Sequence, residues 1–355
     1  MAAPGFDSPE WLAWQFEHIA REDIFGDYAP TPESPRLVLL GGQPAAGKTV
    51  AQDAILAEDP ALVPITGDDL REYHPDYARL MVEEPLLMPE KTAPVSGGLV
   101  RLALDHALVH RFSVLLEGTF RDPEMVTGTA SRFAEAGYRV EVVAVATPAA
   151  VSRLSAQQRA LAAAYPGIGR WTPPQAHETA LAGSPRVVAA LEALPFVSRV
   201  RVFSRERLLH DTKGGEPAVQ PVSAAEVLRG EQTRRLAPGE ALAWLARYEQ
   251  VLALARSRPG YLGQVTAPAF RLLQADAQTM IDTATTVPGV DAAELDQQQR
   301  RRRLYLEQVA PEPARTKARR ALRRLTGGRD PSPEDPWQAP CRSGPDRRDP
   351  PGRSL

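Results

Sequence analysis

Gly42-Gln43-Pro44-Ala45-Ala46-Gly47 is framed by two glycines and followed at once by Lys48 and Thr49. Gly-x4-Gly-Lys-Thr is the pattern of a phosphate-binding loop. Glycines let the backbone curl until successive N–H groups point at an anion, and a helix starting at the lysine adds the positive end of its dipole. The lysine then reaches the β- and γ-phosphates and the hydroxyl of Thr49 is placed for Mg²⁺, so ATP and Mg²⁺ are the expected ligands. Phosphoryl transfer asks for three further things: a carboxylate near the attacking hydroxyl, groups that hold the acceptor, and cations around the phosphate in flight. Asp68 or Asp69 fits the first. Glu117 suits a water-mediated contact to Mg²⁺ or a hydrogen bond to the acceptor, and Thr119 is either an acceptor contact or a turn hydroxyl. Arg153, Arg159 and Arg170 are the candidate cations.

These residues need elements to carry them. Arg36 to Leu40 is a short apolar run ending in the glycine loop; Leu62 to Thr66 ends in Gly67-Asp68-Asp69; Ser113 to Glu117 ends in Gly118-Thr119. Each reads as a buried strand with chemistry at its carboxyl end, where ligands bind in parallel sheets. Further strands are expected at Tyr138 to Ala146 and Val197 to Phe203. Helical spacing lies between them: Lys48 to Glu58, Tyr77 to Met81, Pro94 to Arg111, Asp122 to Ala136, Pro148 to Ala164 and Pro173 to Leu194. Alternation of this kind predicts an α/β chain, a three-layer P-loop kinase fold with a parallel sheet. In front of it, Ser8-Pro9 caps a short helix running to about Arg21.

Beyond Leu208 the pattern changes to a Gly- and Pro-containing connection and then helices only. Ser223-Ala-Ala-Glu226 is a capping box, and helices are expected from Pro238, Ala267 and Asp291. The division that results is an N-terminal helix and linker (1–35), a kinase domain (36–207), a helical accessory region (208–325) and a disordered tail (326–355) poor in anything to bury.

The 355 residues carry a formal net charge of −2, which excludes a protein that coats nucleic acid with its whole surface. Gln297 to Leu304 and Arg315 to Arg324 are basic, but no aromatic residues interleave them, so they read as solvated helix faces. The single cysteine, Cys341, makes no internal disulfide. With no apolar run of membrane-spanning length and no signal-peptide start, the expected compartment is the cytoplasm.

Taken together, Gly42-Gln-Pro-x-x-Gly-Lys-Thr49, Ile65-x-Gly-Asp68-x-Leu-Arg71-x-x-His74-Pro75-x-Tyr77, Leu116-Glu-Gly-Thr119-x-Arg121, Arg159 and Arg170-x-Thr172-Pro173 resemble the zeta toxins of bacterial toxin–antitoxin systems in order and spacing. The resemblance spans about Trp11 to Arg207. It implies an ATP- and Mg²⁺-dependent kinase acting on the 3′-hydroxyl of the sugar of UDP-N-acetylglucosamine, with an antitoxin protein as partner. By position it makes Asp68 the base, Lys48 the phosphate lysine, Glu117 and Thr119, with Arg121 beside them, holders of the sugar nucleotide, and Arg159 and Arg170 the arginines of the transferred phosphate. It gives His74 a part in shaping its loop. Thr66 and Ala45-Ala46 depart from the family pattern, which usually has an acid at the first position and a glycine with a small polar residue at the second pair. Two other readings of the same residues are a P-loop kinase of another small hydroxyl compound and a nucleotide-gated interaction module. A docked restraint is the role considered for the accessory helices, in which case a chain ending near Arg207 would be the more active form.

Overall fold

Six short strands, β1 (Arg36–Gly41), β2 (Val63–Thr66), β3 (Val114–Glu117), β4 (Arg139–Val145), β5 (Val197–Phe203) and β6 (Leu208–Asp211), join one sheet in the order β2-β3-β1-β4-β5-β6. The computed structural model describes residues 5–162, 170–212 and 222–311. The tail expected over 326–355, Cys341, Arg315 to Arg324 and the run from Tyr165 to Gly169 lie outside them.

In chain order, α1 (Pro9–Gln15) continues through one π-helical turn (Phe16–Ala20) into α2 (Arg21–Phe25). β1 (Arg36–Gly41), α3 (Lys48–Glu58), β2 (Val63–Thr66), a 3₁₀ turn (Asp69–Tyr73), α4 (Tyr77–Glu83) and α5 (Met88–His110) follow. Next come β3 (Val114–Glu117), α6 (Pro123–Glu135), β4 (Arg139–Val145), α7 (Ala149–Leu161), α8 (Pro174–Glu192), β5 (Val197–Phe203) and β6 (Leu208–Asp211). The described chain closes with α9 (Ala224–Thr233), α10 (Pro238–Ser257), α11 (Ala267–Ala284) and α12 (Ala292–Val309).

β1 to β5 are parallel, and β6 turns back antiparallel on β5. The period-two alternation of side chains sorts the strands onto two faces. Leu37, Leu39, Val63, Ile65, Val140 and Val142 pack with α1, α2, α5, α6 and α8, while Val38, Leu40, Leu115 and Val143 pack with Ile55 of α3. α9 joins the first of these cores through Ala224, Ala225 and Leu228. α10, α11 and α12 build a second core with Leu154 and Leu161 of α7, centred on the fully buried Tyr248 and Phe270.

Three sequence expectations change. The connection after Leu208 begins with β6, a four-residue edge strand too short to show a pattern. The first helix extends past Arg21 to Phe25, because Phe16, Ala20 and Phe25 are all buried along it. α5 starts at Met88, not at Pro94: Pro89 sits in the first turn, where its missing N–H costs nothing, and burial of Met88, Thr92, Val95 and Leu99 carries the helix through Pro94.

Candidate functional site

The loop between β1 and α3 is shaped by its backbone. Gly42 holds φ 147°, and a Cβ there would stand 2.5 Å from the Val145 carbonyl oxygen. Gly47, at φ 106°, is the left-handed cap of α3. Ala45 is also left-handed at φ 59°, a conformation that costs an L-residue roughly 1–2 kcal/mol. Its neighbours hold it there. Arg205, from the turn between β5 and β6, donates to the carbonyls of Ala45 and Ala46, and Thr147 Oγ1 donates to Ala46 O at 2.7 Å. Pro44 and Ala46 are buried behind the loop, and Thr49 is exposed in the first turn of α3.

Lys48 opens α3 and is buried. Its Nζ stands 3.5 Å from both Gly42 O and Gln43 O and 3.6 Å from Glu117 Oε1. Contacts this long leave the ammonium poorly solvated. Burial lowers its pKa below the ordinary lysine value, with Glu117 opposing that shift and Arg159 adding to it. Glu117 ends β3 in register with Leu40 of β1 and Thr66 of β2, which places its carboxylate between the phosphate loop and the Asp68 segment. Burial raises the pKa of Glu117 against the pull of Lys48.

Asp68 follows β2 and is held between two guanidinium groups. Arg71 Nε donates to its Oδ1 at 3.0 Å, and Arg170 Nη1 pairs with its Oδ2 at 3.3 Å. Burial pushes the Asp68 pKa up, but Arg170, Arg71 and Arg159 together outweigh it and hold the carboxylate below its ordinary value. Arg71 is itself fixed by Pro89 O and Thr92 Oγ1 of α5, and Arg170 also donates to Asp69 at 3.2 Å. Arg159, from α7, donates to Thr172 Oγ1 at 3.1 Å; its Nε is buried with no partner among the described residues. It is close enough to Lys48, Asp68, Glu117 and Arg170 to shift or be shifted by each.

Thr119 and Arg121 are exposed on either side of Phe120, which is buried in a left-handed conformation at φ 47°. The Phe120 ring occupies the space a side chain on Gly41 would need, and its carbonyl lies against Gly183. The segment is thus anchored by Phe120 and presents the two polar residues outward. His74 Nδ1 accepts the Asp76 backbone N–H at 3.0 Å, closing the turn before α4.

The structure therefore brings Lys48, Asp68, Glu117, Arg159 and Arg170 into one charged cluster at the carboxyl ends of β1, β2 and β3. Arg153 does not join it. One turn and a half before Arg159 on the same helix, Arg153 faces another way and pairs with Glu178 of α8 and Asp276 of α11. On sequence alone Arg71 and Thr172 have no role beyond their places in motifs, and Arg205 has none. The spacing of Arg71, three residues after Asp68 in a turn, is a signal that could have found it. Arg205 carries no such signal, since its partners are backbone carbonyls far away in the chain. Among the described residues no three His, Cys, Asp or Glu side chains gather as a metal site.

Comparison with known proteins gives a consistent picture. A family model described as "Zeta toxin" matches residues 21–214. Toxin zeta of Streptococcus pyogenes is 26% identical over 251 residues, covering 70% of this chain and 84% of that protein. Toxin PezT of Streptococcus pneumoniae is 30% identical over 201 residues, covering 56% of this chain and 78% of that one. Among solved structures, a chain of the PezAT chromosomal toxin–antitoxin system of Streptococcus pneumoniae superposes with a TM-score of 0.57 at 24% identity, covering 69% of this chain and 98% of that one. That superposition extends the likeness to the fold.

Proposed function

The chain belongs to the zeta toxin family, and from that premise we propose that it is an ATP-dependent kinase whose acceptor is the 3′-hydroxyl of the sugar of UDP-N-acetylglucosamine. The observation that carries the reading is the cluster itself: a phosphate-loop lysine, the carboxyl groups of Asp68 and Glu117, and Arg159 and Arg170 converge at the carboxyl ends of β1, β2 and β3. Lys48, the loop N–H groups and Arg159, whose Nε has no partner among the described residues, suit the γ-phosphate. Glu117 beside Lys48 suits the acceptor, and the family resemblance assigns Thr119 and Arg121 to the same role. Mg²⁺, when bound with ATP beside Thr49, would neutralise phosphate charge.

The chemistry asked of the side chains is simple. The acceptor oxygen bonds to the γ-phosphorus, the bond from that phosphorus to the β–γ bridging oxygen breaks, and ADP leaves. Asp68 takes the hydroxyl proton, and Arg71 and Arg170 keep it ionised and able to do so. Lys48, Arg159 and Arg170 offset the charge that spreads over the transferred group.

Incubating the protein with Mg-ATP and UDP-N-acetylglucosamine is expected to yield a product heavier by one phosphate in the mass spectrum. Asp68→Asn is expected to lower turnover by about a hundredfold or more, the usual worth of a general base. Turnover at the wild-type rate in that variant would remove Asp68 from the mechanism. One observation favours testing other acceptors in parallel. Thr66 stands beside Glu117 with a buried hydroxyl that has no partner among the described residues, where the family pattern has an acid. A panel of nucleosides and hydroxylated antibiotics assayed alongside distinguishes the two; a kinase selective for one of these would replace the sugar nucleotide as acceptor. The toxin–antitoxin setting of the PezAT relative motivates the further reading that an antitoxin protein is the partner of this chain.

A further inference from the structure

Gln43 sits inside the phosphate loop with none of its surface exposed, and both ends of its side-chain amide are bonded. Nε2 donates to Thr147 O at 2.6 Å, and Oε1 accepts from Gln232 Nε2 at 3.0 Å. The orientation of the amide is forced. A carbonyl only accepts, so the nitrogen of Gln43 must face Thr147 and its oxygen must face α9. Thr147, 1% exposed, passes the connection on by donating its hydroxyl to Ala46 O. A continuous run of three buried bonds thus leads from Gln232 on α9 to the backbone two residues ahead of Lys48. Gln43 also turns its own carbonyl toward Lys48 Nζ, so whatever fixes Gln43 bears on the lysine.

Gln232 is 5% exposed and lies beyond residues 21–214, the stretch that the family model matches. We propose that Gln232 is a positioning residue for the phosphate loop, through which the accessory helix α9 holds Gln43, Thr147 and Ala46 in the arrangement that binds a nucleotide triphosphate. This rests on reading Gly42 to Thr49 as the ATP site. Removing the Gln232 donor leaves the Gln43 oxygen buried and unpaired. The amide then relaxes by turning its oxygen toward another donor, and that movement breaks its bond to Thr147.

The test uses the full chain and binding of a fluorescent ATP analogue in the presence of Mg²⁺. Q232M keeps the side-chain length and removes the donor; Q232L removes it with a shorter apolar side chain and serves if Q232M folds poorly. Leu228→Ala, on the same helix, removes core packing and touches none of the three bonds. The expected result is a Kd weakened about fivefold or more in the Gln232 variants, with wild-type affinity in Leu228→Ala although its melting temperature falls. Wild-type affinity in Q232M and Q232L would overturn the proposal. So would an equal loss in Leu228→Ala, because general loosening of α9 would then suffice. A wild-type chain that binds no ATP analogue would instead overturn the reading of the ATP site itself.

Discussion

Ala45 shows how this loop departs from an all-glycine design without losing its shape. The residue is left-handed, and the cost of roughly 1–2 kcal/mol is met by the bonds that Arg205 and Thr147 make to the Ala45 and Ala46 carbonyls. Ala45→Gly relieves the strain but adds freedom to the unfolded chain worth about 0.4–1 kcal/mol. The expected outcome is a net gain of between zero and about 1.6 kcal/mol in urea unfolding, opposite in sign to glycine substitution in a helix. A loss of stability would mean that the αL strain is not there to relieve. The charge state of the site is set equally locally. As pH falls, Glu117, whose pKa is raised by burial, takes its proton first, and Asp68, held down by Arg170, Arg71 and Arg159, takes its proton last. The acidic limb of the wild-type kcat/KM profile therefore carries two protonations, Glu117 at its upper end and Asp68 at its lower end. Arg71→Met removes one of the cations holding Asp68 ionised, so the lower part of the limb is expected to move to higher pH and the limb to steepen. A profile superimposable on the wild type would show that Arg71 does not govern the ionisation of Asp68.

α7 is the element on which the site and the accessory helices meet. It carries Arg159 toward the phosphate loop and Arg153 toward α8 and α11. Around it, Trp244 Nε1 donates to Ala150 O at 3.0 Å and Arg258 Nη2 donates to Leu161 O at 2.6 Å, so both ends of the helix are held by the C-terminal helices. Glu178 and Asp276 share Arg153 unequally. Burial pushes Glu178 up, but Arg153 bonds both its oxygens and His177 one of them, bringing its pKa to about 2; burial dominates for Asp276, whose Oδ2 has no partner among the described residues, and raises it to about 6. A depressed acid contributes stability that is present above its ordinary value of 4.5 and lost as pH falls through about 2. A raised acid does the reverse: stability is highest below its ordinary value of 3.8 and declines as pH rises through about 6, by about 3 kcal/mol. Asp276→Asn is thus expected to flatten the stability curve between about pH 4 and pH 6, read by urea unfolding at several pH values. Arg153→Ala strands both carboxylates and is expected to cost about 3–5 kcal/mol. Legibility in the sequence follows the same division. Lys48, Asp68 and Glu117 could be placed because each stands at the end of an apolar run, and a parallel sheet puts such ends together. Spacing alone could not tell Arg159 from Arg153, since the face each presents depends on how α7 sits against α8 and α11; the family resemblance is what singles out Arg159. β6 is too short for alternation to show, and Gln232 is one amide in an amphipathic helix whose partner is distant in the chain.

For the molecule as a whole, the question is whether the helices after β6 restrain the kinase or help to build it. Docking as a restraint would leave a complete core behind when the helices are removed. The packing argues otherwise. Ala224, Ala225 and Leu228 of α9 lie in the same core as β4 and β5, Gln232 reaches the phosphate loop, and α10, α11 and α12 bury Leu154 and Leu161 of α7. Burial of a leucine is worth roughly 1.5–3 kcal/mol, so exposing Leu154, Leu161 and the ground under Leu228 removes a large part of the 5–15 kcal/mol that ordinarily separates folded from unfolded. A chain ended after Thr212 is therefore expected to bind a hydrophobic dye, to melt without a sharp transition and to show little nucleotide binding, whereas the full chain melts cooperatively. A soluble, cooperatively folding fragment with higher kinase activity than the full chain would restore the restraint model. It would also show that Arg159 needs no support from outside the residues matched by the family.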